Sequence, residues 1–460
     1  MVKVDNLFIE LIQVALGNRD KLSRVPSAVE WGALYEESIR QAVAGIAFEG
    51  VKKLPETQRP PQRLLFEWIA LSEQIKRQNK YVDKQTATIW KQLKEDGLEA
   101  AILKGQGVAT SYNLNLDVDV DDNVDHNLNL DDNVDDDVDV DDDVDHNHNL
   151  NDNVDLDENI DDDVNVNEEL GAKSIDLKDN GSLGEYRQSG DIDIWVKGGY
   201  QKVCDYVQRT HPTKDVAYHR FHYDFFKDTE VELHHRPTLM RNLFDDRKLA
   251  KWYNSFDADS FIYLKDKGFA VPPPEFNCIF ILTHIYRHFL FEGIGLRQVM
   301  DYYFVLKNNK HNLNDNLNLN DNLDLNDNLN DDVDENENQN ENLGDVRDTL
   351  KSLRLTRFAE AMMWILHTQL GLDEKYLICG MNEREGRFVL NEIFETGNFG
   401  QADKRFKGMS KFRRMTKHGI HLLLHYPSEV IWTPIWLMYH KVWRWRKVIA
   451  FGKGGLTSDN

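Results

Sequence analysis

The chain has 460 residues, 41% of them hydrophobic and 29% charged, with a formal net charge of -24. That length and apolar content support two or three ordinary domains with buried cores and exclude a small scaffold that depends on disulfide or metal staples. The charge is uneven: residues 111–170 hold 24 acidic side chains and residues 311–345 hold 11, neither with Lys or Arg, while the remaining 365 residues carry +11. The whole-chain charge therefore says nothing about partners, because the chain is a mildly basic body with two acidic inserts.

Cys204, Cys278 and Cys379 lie far apart and fit no disulfide framework, zinc knuckle or CxxC pair. The first residues turn charged too early for a signal peptide, and no uncharged apolar window is long enough to span a membrane. A reducing cytoplasm fits this pattern.

In chain order, residues 7–17 predict a helix, residues 25–53 one or two more, and residues 61–100 a long one. The run EAAILKG then reads as a short strand ending in a turn at Lys104–Gly105. The first insert alternates Asn or Asp with Leu or Val. One face of such a strand would be a ladder of like charges, so the composition predicts disorder rather than a sheet. Calcium sites are the rival reading of so many oxygen ligands, but the glycines of calcium loops are missing. Residues 191–196, DIDIWV, predict a strand, 200–209 a helix, and 219–237 a hairpin-like stretch. Helices follow from Phe276. Beyond the second insert they are expected at 346–370, 383–395 and 403–425, with Pro427 and Pro434 bracketing a break before a basic aromatic segment at 435–451. The fold class is α+β: a small mixed sheet within a largely helical protein. The expected domains are an N-terminal helical region (1–98), an α/β core (99–240) interrupted at 113–180, and a C-terminal helical region (241–460) interrupted at 311–345.

The sharpest local feature is SGDIDIWV. Strand side chains alternate faces, so Asp191 and Asp193 share one face while Ile192 and Ile194 enter the core. Two adjacent carboxylates repel unless a cation lies between them. Magnesium suits such a site because it combines a few carboxylates with waters and phosphate oxygens. In TEVELHHRP, Glu230, Glu232 and His234 share a face, and Glu232 is the preferred third ligand, with Glu230 second. Three carboxylates holding magnesium can orient a triphosphate and stabilise leaving pyrophosphate. Lys104 and Gly105 form the other half: the turn exposes backbone N–H groups toward phosphate and the lysine adds charge. Arg187 can meet a phosphate or brace the acids.

The segments ILKGQGVATSY, YRQSGDIDIWV, VELHHRP and GLRQVMDY together resemble an uncharacterised nucleotidyltransferase family of the polymerase-beta-type superfamily. The resemblance implies a small mixed sheet with flanking helices and magnesium-dependent transfer of a nucleoside monophosphate from a nucleoside triphosphate. It implies Asp191, Asp193 and Glu232 as catalytic and metal-binding carboxylates, with Lys104, Gly105 and Arg187 at the flanking nucleotide-binding positions. The acceptor is open among small molecules, sugars, proteins and RNA. The superfamily's usual Gly-Ser turn is replaced here by Lys104–Gly105. Gly181–Ser182 is a nearer pair but lacks a preceding strand. A catalytically degenerate nucleotide-binding scaffold and a nucleic-acid-binding module are the alternative functions.

His284, Arg287 and His288 are candidates for lining the nucleotide or acceptor pocket. Arg297 and Asp301, spaced i,i+4, read as a helix pair, with Asp301 able to brace the sheet. His234 and His235 raise a zinc alternative that lacks a metalloprotease pattern. The segment 435–451 mixes Trp436, Trp443 and Trp445 with Lys441, Arg444, Arg446 and Lys447. Packing onto the body is the favoured reading, and peripheral contact with an anionic membrane or nucleic acid is the other.

Overall fold

The computed structural model describes residues 3–112, 182–308, 346–400, 403, 405, 409 and 411–454. The two acidic inserts, and with them the disorder and calcium readings, lie outside the described residues. The architecture is α+β and mostly helical, built around a small mixed sheet.

Helices α1 (Lys3–Leu16), α2 (Ala28–Arg40) and α3 (Ala44–Lys53) open the chain. Ser27 starts α2 through a capping box with Glu30, which satisfies backbone N–H groups that a helix start leaves unpaired. Helix α4 (Gln62–Glu95) buries Leu65, Trp68, Ser72, Ile75, Asn79, Val82, Thr86, Ile89 and Leu93. Those alternating steps of three and four make one continuous inward stripe.

The sheet has strand order β1-β2-β4-β3, formed by Ala100–Ile102, Ile192–Val196, Val231–His234 and, at the edge, β3, Arg220–His222. Strands β1 and β2 are antiparallel, β2 and β4 parallel, and β4 and β3 antiparallel. The short helix α5 (Gln106–Ala109) follows β1. A parallel pair needs a crossover, and α6 (Gly199–Thr210) lies within it. Ile192, Ile194 and Val196 of β2 join Val231, Leu233, Ile89, Leu93, Val203 and Val207 in one buried cluster. Each such aliphatic side chain contributes roughly 1.5–3 kcal/mol by leaving water. On the opposite face, Trp195 stacks on Phe276 with ring centroids 5.1 Å apart. Thus Asp193 shares a sheet face with an aromatic cluster, and its position in the strand is held from both sides.

Helix α7 (Leu243–Asn254) and the hairpin β5 (Ile262–Leu264) and β6 (Phe269–Val271) were not expected from the sequence. Helices α8 (Pro274–Phe291) and α9 (Leu296–Lys307) are nearly all buried and cover the sheet's site face. The stretch expected as one helix at 346–370 is broken. Helix α10 (346–352) ends at a turn where Arg354 takes φ +57°, and α11 (Thr356–Trp364) begins anew. Helix α12 (Glu383–Thr396) agrees with expectation, and α13 is shorter than expected, Lys411–Leu422.

Helix α14 runs from Pro427 to Gly454, so the expected break between the two prolines is wrong for Pro434, which lies inside the helix. Proline removes one helical N–H, but packing of the helix's aromatic face outweighs that loss. Trp436 is buried, and Tyr218 meets the rings of Trp436, Tyr439 and Trp443. The favoured packing reading therefore describes that face, while Met438 and Trp445 are exposed. Among the described residues no helix is long and apolar enough to cross a membrane, and no disulfide is formed.

Glu429, in the first turn of α14, clamps the helix to the body. Its carboxylate accepts the backbone N–H groups of Arg241 (2.7 Å) and Asn242 (3.1 Å). Burial dominates those bonds and pushes the carboxyl up to about 7. An acid whose folded pKa exceeds its unfolded value, near 4.5, favours the folded state below that unfolded value and loses the advantage as pH rises to about 7. Relative to Glu429→Gln, wild type is therefore expected to lose up to about 3 kcal/mol of unfolding free energy across that interval and nothing further above it. Denaturant titrations of both proteins at stepped pH check this, and parallel pH profiles would disprove it.

Candidate active site

The sheet assembles the site from distant segments. Strand β1 pairs with β2 up to Ile102↔Ile194, and the Leu103 N–H then bonds to the Asp193 carbonyl at 2.9 Å. That register delivers Lys104 beside the acids. Its Nζ lies 2.9 Å from Asp193 Oδ2 and 3.6 Å from Asp191 Oδ2. At the turn itself, Gly105 takes φ +62°, a region that L side chains rarely adopt. An added Cβ there would also come within 3.3 Å of the Asp191 carbonyl. Gly107 is required as well, since a Cβ would lie 2.5 Å from the Ile102 carbonyl.

The parallel pairing of β2 and β4 sets Asp193 directly opposite Glu232. Glu230 precedes the strand with an exposed side chain 3.5 Å from His222 Nδ1, outside the buried group around Asp193. Asp191 likewise precedes its strand and is partly exposed, at the mouth of the site. Asp193 is fully buried. Ligand atoms of Asp193, Glu232 and His234 all fall within 4.8 Å of one another.

His234 is a structural partner of both acids. Its Nε2 lies 2.8 Å from Asp193 and 3.2 Å from Glu232, and its Nδ1 lies 3.2 Å from the Pro237 carbonyl. Carboxylates and a carbonyl only accept, so the imidazolium form satisfies all three contacts. Its pKa is accordingly raised: burial opposes the charge, but the hydrogen bonds to Asp193 and Glu232 outweigh it. Burial also opposes the charge of Lys104, whose pKa is nonetheless raised by Asp191, Asp193 and Glu232. Asp193 is held low against its burial by Lys104 and His234. Glu232 moves the other way, raised by burial and by the Asp193 charge. Arg220, from the edge strand, meets Glu232 at 2.8 Å. His235 departs from its neighbour: it contacts Tyr200 and lines a separate cavity of about 280 Å³, where burial lowers it to about 3.

Arg187 reaches the site wall but its guanidinium is engaged. Nε and Nη2 donate to the two oxygens of Asp301 at 2.6 and 2.8 Å, and the Tyr112 hydroxyl donates to the same carboxylate at 2.8 Å. The expected Arg297–Asp301 helix pair is thus replaced by a long-range one. Asn79 fixes the same loop by donating to the Glu185 and Arg187 carbonyls at 2.7 and 2.6 Å. His284 lines the cleft with Lys104, Asp191 and Asp193, and burial, reinforced by the Lys104 charge, lowers its pKa. Arg287 and His288 sit behind it. Arg287 Nη2 lies 3.0 Å from His288 Nε2, while His288 Nδ1 faces Glu292. The ring therefore accepts at Nε2 and donates at Nδ1 as a neutral tautomer. The sequence did not single out Tyr112, Asn79, Arg220 or Phe399. Tyr112 alone carried a signal, as the tyrosine that follows the Lys104–Gly105 turn.

Asp193 and Glu232 thus face each other at one end of a mixed sheet, with Asp191 at the mouth and the Lys104–Gly105 turn alongside. The sequence profile of an uncharacterised nucleotidyltransferase family matches residues 27–114 and 184–329, just over half of the chain, and the protein belongs to that family. No curated protein and no solved structure matches the chain.

Removing the Asp301 carboxylate strands a buried guanidinium and a buried hydroxyl. Asp301→Ala is expected to lower stability by about 3–5 kcal/mol, the cost of breaking a buried ion pair from one side. Chemical denaturation measures it, and a loss under about 1 kcal/mol would show that the pair does not brace the fold.

Proposed function

We propose that the protein is a magnesium-dependent nucleotidyltransferase, moving a nucleoside monophosphate from a nucleoside triphosphate to an acceptor hydroxyl and releasing pyrophosphate. The observation that carries this reading is the register of Asp193 opposite Glu232, with Asp191 at the mouth and Lys104–Gly105 alongside. The donor set fits a hard divalent cation. Two buried carboxylates face each other, a third stands toward solvent, and their charge is now balanced by Lys104, His234 and Arg220. Asp191, Asp193 and Glu232 would hold magnesium, which supplies positive charge to the reacting phosphate and lowers the pKa of a hydroxyl near it.

The chain's own residues have separate tasks in this reading. His234 fixes the orientation of Asp193 and Glu232 and, as a cation, is not itself a ligand. Lys104 lies between two acids at the cleft, within reach of a phosphate entering beside them. The left-handed Gly105 turn lets backbone approach that phosphate without a side chain in the way. Arg187, held by Asp301, keeps the segment leading to Asp191 in place and adds positive potential. The acceptor is a small molecule, a sugar, a protein or RNA.

One observation favours the runner-up, nucleotide binding without turnover: the acids are already neutralised by side chains, and the cleft measures only about 40 Å³. Pyrophosphate release from the four ribonucleoside triphosphates, with magnesium and cell extract as the acceptor source, separates the two. Turnover is expected to need the metal and to fall on the order of 100- to 1,000-fold in Asp193→Asn, as when a charge-stabilising group is lost. Nucleotide binding with no release would select the runner-up. Equal release by the variant would remove Asp193 from the chemistry.

A further inference from the structure

We propose that Arg297 is the residue that grips the donor's phosphate chain, with Arg187 acting only as the positioning residue behind it. The inference rests on the nucleotidyltransferase reading and assigns the anion contact within that site. Both arginines border the cleft that contains Lys104, Gly190 and Asp191. Their bonding differs sharply. Arg187 gives two nitrogens to Asp301 and a third, Nη1, to the Gln188 carbonyl at 3.2 Å. Tyr112 also draws on Asp301, so that carboxylate is already shared.

Arg297 has no carboxylate partner among the described residues. Its Nη1 makes only long contacts to the carbonyls of Gln188 (3.3 Å) and Ser189 (3.5 Å), and its buried Nε has no partner there. Yet the residue is only 9% exposed. Burial and the adjacent Arg187 charge lower its pKa more than the Asp301 and Asp191 carboxylates, neither within ion-pair reach, raise it, so the fold holds a cation where it is poorly satisfied. An unpaired buried charge is costly, and an incoming polyanion relieves that cost. A guanidinium also offers planar, forked donors that match phosphate oxygens.

The surroundings keep that fork accessible. Gly190 leaves space: even a Cβ built there would stay 3.9 Å from Arg297 Nη1. The Phe399 ring lies 5.7 Å from the guanidinium, on a residue held at φ +51°. A non-glycine residue in that region is strained, and such strain gathers at ligand sites. The ring shields one side of the cation without consuming its donors. The ligand class is a linear polyphosphate: the tail of the donor nucleotide or the pyrophosphate leaving it.

Inorganic tripolyphosphate is the probe, since it carries the charge without a base or transferable nucleoside. Its Kd is measured by calorimetry with magnesium for wild type, Arg297→Gln and Arg297→Lys, beside thermal melts. Arg297→Gln is expected to weaken binding about 10- to 100-fold, the range for losing a charge-assisted contact. Arg297→Lys recovers part of it, and the melts stay near wild type. In pyrophosphate-release assays the same glutamine variant raises KM for the nucleotide. No tripolyphosphate binding by wild type, or equal binding by Arg297→Gln, overturns the proposal. If wild type releases pyrophosphate while binding is unchanged in the variant, the nucleotidyltransferase reading survives alone. If no release occurs from any nucleotide, that reading falls, and the tripolyphosphate series still decides the role of Arg297.

Discussion

Mutual repulsion among Asp191, Asp193 and Glu232 is the constraint to which the rest of the molecule answers. Asp193 is wholly buried, so its charge cannot be screened by water and must be met by fixed groups. Lys104 arrives from β1, His234 from β4 and Arg220 from the edge strand, each placed by the sheet's register. The hydrophobic cluster under β2 and the aromatic cluster on its other face keep that register, because a slip of one residue would send Asp193 into the core. Packing and electrostatics are therefore not separate achievements here. The strands' apolar residues hold the acids at a separation at which only compensating charge makes the site stable.

How far this could be read from the chain depends on the range of each interaction. The alternation DIDIWV showed that Asp191 and Asp193 differ in facing from Ile192 and Ile194, and VELH put Glu232 and His234 on one face. Those are local statements, and the sheet bears them out for Asp193, Ile192, Ile194, Glu232 and His234, while Asp191 stands just before its strand. The β2–β4 register that sets Glu232, not Glu230, opposite Asp193 lay beyond any local pattern. The α+β class and most helices followed from apolar periodicity. The β5–β6 hairpin escaped because each strand has three residues, too few for a period to appear. Pro434 misled because local propensity was weighed without the aromatic packing that holds α14.

The arginines show the limit most clearly. An i,i+4 spacing joined Arg297 to Asp301 on paper, whereas the fold gives Asp301 to Arg187 and Tyr112, both far away in sequence. Nothing in a one-dimensional pattern announces which of two cations will win a shared anion. Bidentate geometry and burial decide it, and both arise only when α9 closes over the loop before β2. The same competition leaves one guanidinium saturated and the other available, so two residues of identical chemistry differ in what they can still do.

Tyr112 and the segment Leu183–Tyr186 border the first acidic insert, and they lie against each other: a Cβ on Gly184 would meet the Ala109 carbonyl at 2.6 Å and Tyr112 Cβ at 3.3 Å. The two described segments that flank the insert are thus neighbours in the fold. Because these flanking segments already meet, the fold around Lys104 and Asp193 asks the residues between them to span almost no distance.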